Sequence, residues 1–147
     1  MTIPRPTPAL DDQLCFALYT ASRAMTARYR PELDRLGITY PQLLVLMALW
    51  EKDGQTVHEL SARLALDSGT TSPLLKRLEA AELVTRNRST EDERKVVVRL
   101  TDLGQTLEQP ACGVSQVIID ALGLDRAQFH ALKKQLELIT ARSTTER

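Results

Sequence analysis

The sequence predicts a mostly α-helical chain that carries one small β-hairpin. Three observations point there. Apolar residues recur near the helical period over most of the chain, N-capping signals precede several of those stretches, and a single pair of β-prone runs brackets a polar segment.

Residues 1–9, with prolines at 4, 6 and 8, read as a flexible tail. A long helix follows, with Asp11 or Asp12 as its expected N-cap; Leu14, Leu18, Ala21, Met25, Leu33 and Leu36 recur at helical spacing and Gly37 ends the run. Thr39-Tyr40-Pro41 opens a second helix, its proline suited to the first turn. This helix is apolar nearly all round through Leu43, Leu44, Val45, Leu46, Met47, Leu49 and Trp50, so it must be buried on several sides, and Asp53-Gly54 closes it. Thr56 and Glu59 have capping-box spacing and open a short helix with Val57, Leu60 and Leu64 on one face.

A fourth helix is expected from Ser68 to Ala81. Leu74, Leu75, Leu78 and Ala81 share one arc of it, and Thr70, Ser72, Pro73, Lys76 and Arg77 lie opposite. Pro73 is near the limit of what a first turn tolerates. Leu83–Arg86 and Val96–Leu100 are the β-prone runs, with a polar tip from Asn87 to Lys95. Thr101-Asp102 caps a helix expected to bend near Pro110 and resume to Ala121, where Gly123 breaks it. Asp125 with Gln128 opens a last amphipathic helix through Phe129, Leu132, Leu136 and Ile139, and residues 142–147 are expected to fray.

At 147 residues the chain holds one domain with a sizeable core, and 43% hydrophobic with 26% charged residues is an ordinary globular balance. No apolar run approaches the length of a membrane span and Met1–Leu10 lacks a signal-peptide core, so a cytoplasmic protein without membrane contact is expected. Nineteen basic and nineteen acidic residues cancel, so any affinity for polyanions must come from clustering. Cys15 and Cys112 are too few for a disulfide scaffold or zinc cluster, and His58 and His130 are isolated surface residues; no metal and no cofactor is expected.

A short helix, a tight connection and a second helix with a polar face have the helix-turn-helix order, whose second helix fits a DNA major groove. Ser68, Thr70, Thr71, Ser72, Lys76 and Arg77 supply hydrogen-bonding groups for base edges and phosphates. A polar helix face alone is the ordinary solvated surface of a bundle. The hairpin directly after it makes the pair read as a winged helix-turn-helix. Between Lys76 and Arg99 seven basic residues face five acidic ones, with Arg86 and Arg88 on one arm and Arg94 and Lys95 beside the tip, placed to track phosphates or enter a narrow minor groove.

Leu14–Tyr19, Leu36–Gln42, Leu66–Thr70, Pro73–Glu79 and Asp92-Glu93-Arg94 resemble the MarR family, and within it the organic hydroperoxide resistance regulators, over about Leu14 to Gly104. The resemblance implies a homodimeric repressor of pseudo-palindromic double-stranded operator DNA. It implies a wing arginine at Arg94 oriented by Asp92, and a recognition helix from Ser68 to Ala81. On this reading residues 10–36 and 102–147 form the helical dimerisation region and 37–101 the DNA-binding region.

Cys15 lies within about one turn of a helix start, where roughly half a positive charge favours a thiolate, the form that attacks peroxides. From the residues alone it reads as an inert core cysteine beside Leu14, Phe16 and Leu18; the resemblance reverses this, because the family's peroxide-sensing cysteine falls on Cys15. The same resemblance places two partner tyrosines at Tyr29 and Tyr40, with Tyr19 an intrachain competitor. Fourteen residues of helix separate Cys15 from Tyr29, about 21 Å, so their contact must come from a second subunit. The family's two-cysteine members carry a resolving thiol whose position falls nearer Asp120 than Cys112, about 12 Å of helix away. Both a Cys15–Cys112 disulfide and resolution by a low-molecular-weight thiol stay open.

The expected function is a repressor that senses an organic hydroperoxide through Cys15 and then releases its operator. The alternative is a regulator responding to a small aromatic ligand with Cys15 structural. A thiol peroxidase is disfavoured, since no Cys-x-x-Cys or βαβ pattern is present.

Overall fold

The structure is a computed structural model and describes residues 5–144. The expected flexible tail therefore lies partly outside the described residues, as does the end of the expected frayed segment.

A short 3-10 turn, Leu10–Asp12, precedes α1 (Leu14–Leu36). Asp11 and Asp12 are spent in this turn, so neither caps α1 as expected. Gln13 takes that position without a side-chain cap, its Nε2 donating instead to the carbonyls of Thr7 and Ala9 at 2.6 and 2.9 Å. α1 ends at Gly37 in the left-handed region (φ 69°), where Ile38 N–H reaches back to Leu33 O at 3.1 Å in a Schellman closure. α2 (Tyr40–Glu51) opens with a full capping box between Thr39 and Gln42. Leu43, Val45, Leu46, Ala48 and Leu49 are all buried, and α2 packs against α1, α4 (Ser68–Ala80) and α6 (Glu108–Leu122). The all-round apolar pattern is thus the signature of the central helix.

The sequence signals a hairpin, but the sheet has three strands. β1 (Gln55–Thr56) pairs antiparallel with β3 (Val96–Leu100), which pairs antiparallel with β2 (Val84–Arg88), in the order β1-β3-β2. Two residues are too few to leave a period in the sequence, and Thr56 doubles as N-cap of α3 (Val57–Arg63) in the expected box with Glu59. β2 also runs two residues further than expected. Asn87 and Arg88, assigned to the tip, pair with Val97 and Val96.

α4 is capped by Asp67, whose Oδ1 accepts Thr70 N–H at 2.7 Å, and carries Pro73 in its second turn rather than its first. After the wing, α5 (Asp102–Thr106) stops at Leu107 and α6 begins at Glu108. The interruption therefore precedes Pro110, which sits in the first turn of α6 where its missing N–H costs nothing. Asp125 and Gln128 form their reciprocal cap, and α7 (Arg126–Thr144) stays helical beyond residue 142. α7 buries no residue within its own chain, and Leu132, Leu136 and Leu138 stand exposed on it. Leu10, Leu14, Phe16 and Tyr19 near the start, with Ile119 and Leu122 on α6, are exposed as well.

Candidate nucleic-acid interface and redox site

α3 and α4 are locked together at their crossing by a buried hydroxyl pair. Ser61 Oγ donates toward Thr71 Oγ1 at 2.9 Å, and Thr71 Oγ1 donates to Asp67 O at 2.9 Å. Thr71 is 0% exposed, so it cannot read a groove, which corrects its place among the expected DNA-facing residues. The reason is positional: it precedes Leu75 by four residues and Leu78 by seven, on their stripe. Thr71→Val is expected to lower stability by about 1 kcal/mol, because the Thr71 bonds to Ser61 and Asp67 O are lost while Ser61 Oγ keeps Val57 O as acceptor at 2.8 Å, and DNA affinity of the folded fraction stays close to wild type. Urea unfolding and a gel shift on the same preparation check both halves.

The remaining α4 candidates point outward. Ser68, Thr70, Lys76 and Arg77 are exposed and Ser72 is half-buried. Between α3, α4 and the wing runs a cleft of about 810 Å³, lined by His58, Ser68, Ser72, Arg86, Arg94 and Lys95 among others. The wing tip is tied by its own backbone: Ser89 N–H donates to Lys95 O at 2.7 Å, and Lys95 N–H to Asp92 O at 2.9 Å. Asp92 Oδ1 accepts both the backbone N–H (3.1 Å) and Nε (3.4 Å) of Arg94, whose side chain is otherwise 93% exposed. That carboxylate holds the root of the arginine and leaves its far end free to reach. Lys95 is exposed beside it, and Arg88 is exposed while donating to Glu93 O at 3.2 Å.

Arg86 departs from expectation. Its guanidinium donates to Glu79 Oε1 at 3.1 Å, and its backbone N–H donates to Glu79 Oε2 at 3.1 Å. Only 23% of the side chain is exposed, so it is held against α4 rather than extended toward phosphates. Glu79 itself was not singled out by the sequence, because its partner lies across a helix-to-strand turn, which no periodicity marks. The hydrogen bond from Arg86 holds the Glu79 carboxyl below the ordinary carboxylate range. With a depressed folded value, whatever the pair contributes is present at neutral pH and lost as pH falls through that lowered value. The Thr56 backbone bond similarly lowers Glu59, aided by the nearby charges of Lys52 and Lys95.

Cys15 is the second residue of α1 and is exposed on the single chain, flanked by the exposed Leu14 and Phe16. It is not buried in the core of its own chain, as the reading from residues alone had it. Tyr29 and Tyr40 stack face to face, centroids 5.2 Å apart at 9°. Burial and the neighbouring Tyr40 raise the Tyr29 pKa, so the phenol keeps its proton, and its capacity to donate, beyond the usual range. Tyr19 is exposed with the Arg23 guanidinium 5.4 Å from its ring centroid. α1 is helical without interruption from Cys15 to Tyr29, so the two cannot meet within one chain. Cys112 is a free thiol on α6, donating to Glu108 O at 3.5 Å, in a cleft against Met47 and Trp50 of α2. Cys15 is free too. Among the described residues no cluster of His, Cys, Asp and Glu could hold a metal ion, and no helix is long and apolar enough to cross a membrane. His58 and His130 are both exposed.

A helix pair with a polar outer face, followed by a charged β-hairpin, defines a winged helix-turn-helix transcriptional regulator. A family model described as transcriptional regulator SarA/Rot matches residues 28–109. The chain is 48% identical to the organic hydroperoxide resistance transcriptional regulator of Bacillus subtilis over 85% of this chain and 83% of that one. It is 38% identical to the regulator MgrA of Staphylococcus aureus, over 86% and 87% of the two chains. Reduced AbfR bound to DNA superposes with a TM-score of 0.77 at 36% identity, covering 90% of this chain and 91% of that one. AbfR, from Staphylococcus epidermidis, has also been solved with a disulfide formed and, overoxidised, bound to DNA. The chain belongs to the MarR family of transcriptional regulators, in the branch of the organic hydroperoxide resistance regulators.

Proposed function

We propose that this regulator is a dimeric repressor that holds a pseudo-palindromic operator while Cys15 is reduced and releases it when an organic hydroperoxide oxidises that thiol. The observation that carries the reading is the placement of Cys15. It is an exposed thiol in the first turn of α1, set among the exposed apolar residues Leu14, Phe16 and Tyr19 that a second copy would cover.

In the dimer, Tyr29 and Tyr40 of one protomer approach Cys15 of the other. The protonated Tyr29 phenol is suited to donate toward sulfur and so favour the thiolate. The thiolate attacks the peroxide O–O bond; sulfur keeps one oxygen as sulfenic acid, and the other leaves as the alcohol after taking a proton. A second thiol, from Cys112 or a low-molecular-weight thiol, then condenses with the sulfenic acid to a disulfide and water. The disulfide adds bulk or a cross-link where the helices of the two protomers meet, and that displacement carries the recognition helices off register.

On DNA the two α4 helices lie about 34 Å apart, one turn of the duplex. Ser68, Thr70, Ser72, Lys76 and Arg77 face the major groove; Arg94 and Lys95, with Arg88 behind them, follow the backbone and minor groove. Each base contact given up costs about 1–3 kcal/mol, and two half-sites give up theirs together, so a small rearrangement suffices for release. In a gel shift, reduced protein should retard a promoter fragment bearing the operator and an organic hydroperoxide should abolish the retardation. A complex that survives peroxide, but dissociates on adding a phenolic compound, would overturn the sensing mechanism in favour of an aromatic-ligand regulator.

A further inference from the structure

We infer that Glu79 is a positioning residue for DNA binding: its carboxylate braces the wing against the recognition helix and so aims Arg94 and Lys95 at the duplex. The inference rests on the DNA-facing role proposed for those two cations and names the group that makes their placement possible.

Both oxygens of Glu79 are used on one residue. Oε2 accepts the backbone N–H of Arg86 and so fixes the main chain of β2. Oε1 accepts from the guanidinium and fixes the side chain, each at 3.1 Å. Arg86 lies midway along β2, paired with Val98 of β3, so a tie at this point sets the direction of both arms of the hairpin. The base of the wing is already rigid. Glu82 sits in the left-handed region at φ 61°, its carbonyl accepts Thr101 Oγ1 at 2.6 Å, and Thr101 N–H donates to Leu83 O at 3.1 Å. β1 pairs with β3 at Val97 and Val98 and steadies that edge of the hairpin, whereas on the other edge β2 is held against α4 by the Glu79–Arg86 contact.

The pair is also unlike an ordinary surface bridge. Arg86 Nε is buried with no hydrogen-bond partner, so the guanidinium is partly desolvated and depends on this one carboxylate for compensation. Removing the carboxylate leaves a cation in the cleft that gains by swinging out to water, and the strand to which it is attached goes with it. A carboxylate in direct contact with phosphate would repel it, so any favourable effect of Glu79 on DNA binding passes through the wing.

The test is a double-mutant comparison on the full-length dimer, with affinity for an operator fragment read against salt concentration. Glu79→Gln should weaken binding and reduce the salt slope by about two, because each wing of the dimer then neutralises one phosphate fewer. Arg94→Ala should weaken wild type, yet weaken the Glu79→Gln background far less. Lys76→Ala, on α4, should cost the same in both backgrounds, which separates a displaced wing from general instability. If Glu79→Gln does not fold, Arg86→Lys carries the same comparison, since a lysine keeps the charge but loses the fork that meets the carboxylate. An Arg94→Ala effect that is undiminished without Glu79 overturns the brace and leaves the proposed DNA contacts standing. An Arg94→Ala variant that binds as wild type removes the wing's role and the brace with it.

Discussion

Gly104→Ala is expected to be the most damaging single-methyl change in the chain. Gly104 is buried in α5, and a Cβ there would lie 2.1 Å from Leu83 O, 3.1 Å from Leu83 C and 3.3 Å from Leu100 Cδ2. The nearest obstacle is backbone, and it has nowhere to go. Leu83 O accepts Thr101 N–H, and Leu83 leads directly into β2. Gly104 cannot retreat either: its N–H donates to Thr101 Oγ1 at 3.0 Å and its carbonyl accepts Trp50 Nε1 at 3.1 Å. Relief requires breaking at least one of these bonds, so the cost falls at or above the upper end of overpacking, about 3 kcal/mol. Melting at fixed protein concentration should fall by about 6–12 °C, with loss of operator binding as the wing loses its base. An unchanged melting temperature would mean that α5 moves away from Leu83 at no cost, contrary to the contacts above.

Cys15→Ser is expected to leave operator affinity near wild type and to remove the response to organic hydroperoxide entirely. Serine keeps the size and a polar atom in the first turn of α1, so the helix start and the surrounding Leu14 and Phe16 are undisturbed. What disappears is the soft, oxidisable sulfur. A hydroxyl is not deprotonated at neutral pH and does not accept oxygen from a peroxide. A gel shift titrated with hydroperoxide should show release for wild type and none for the variant at any concentration that leaves the DNA intact. Release that persists in Cys15→Ser would move the sensing chemistry to Cys112 or elsewhere. Mass spectrometry of the oxidised wild type identifies the thiol that resolves the sulfenic acid.

Much of the fold was legible residue by residue. The helix start at Thr39-Tyr40-Pro41, the Thr56–Glu59 and Asp125–Gln128 caps, the glycine stops at Gly37 and Gly123 and the burial of α2 all follow from residues a few positions apart. Thr71 was legible in the same way, standing on the leucine stripe of α4; its hydroxyl drew it into the polar set, whereas the buried Ser61 gives that hydroxyl a partner inside. The Asp11–Asp12 cap failed because a 3-10 turn competes for the same residues, and short-range signals do not rank the two.

The sequence by itself determined the helices, several of their caps and the order that makes a winged helix-turn-helix, because helix formation and capping are interactions between neighbours three or four residues apart. Only the tertiary structure decided that β1 joins the sheet, that Arg86 turns to Glu79 instead of solvent and that Gly104 admits no side chain. Each of these depends on which surfaces meet once the chain has closed, and such proximity carries no period along the sequence.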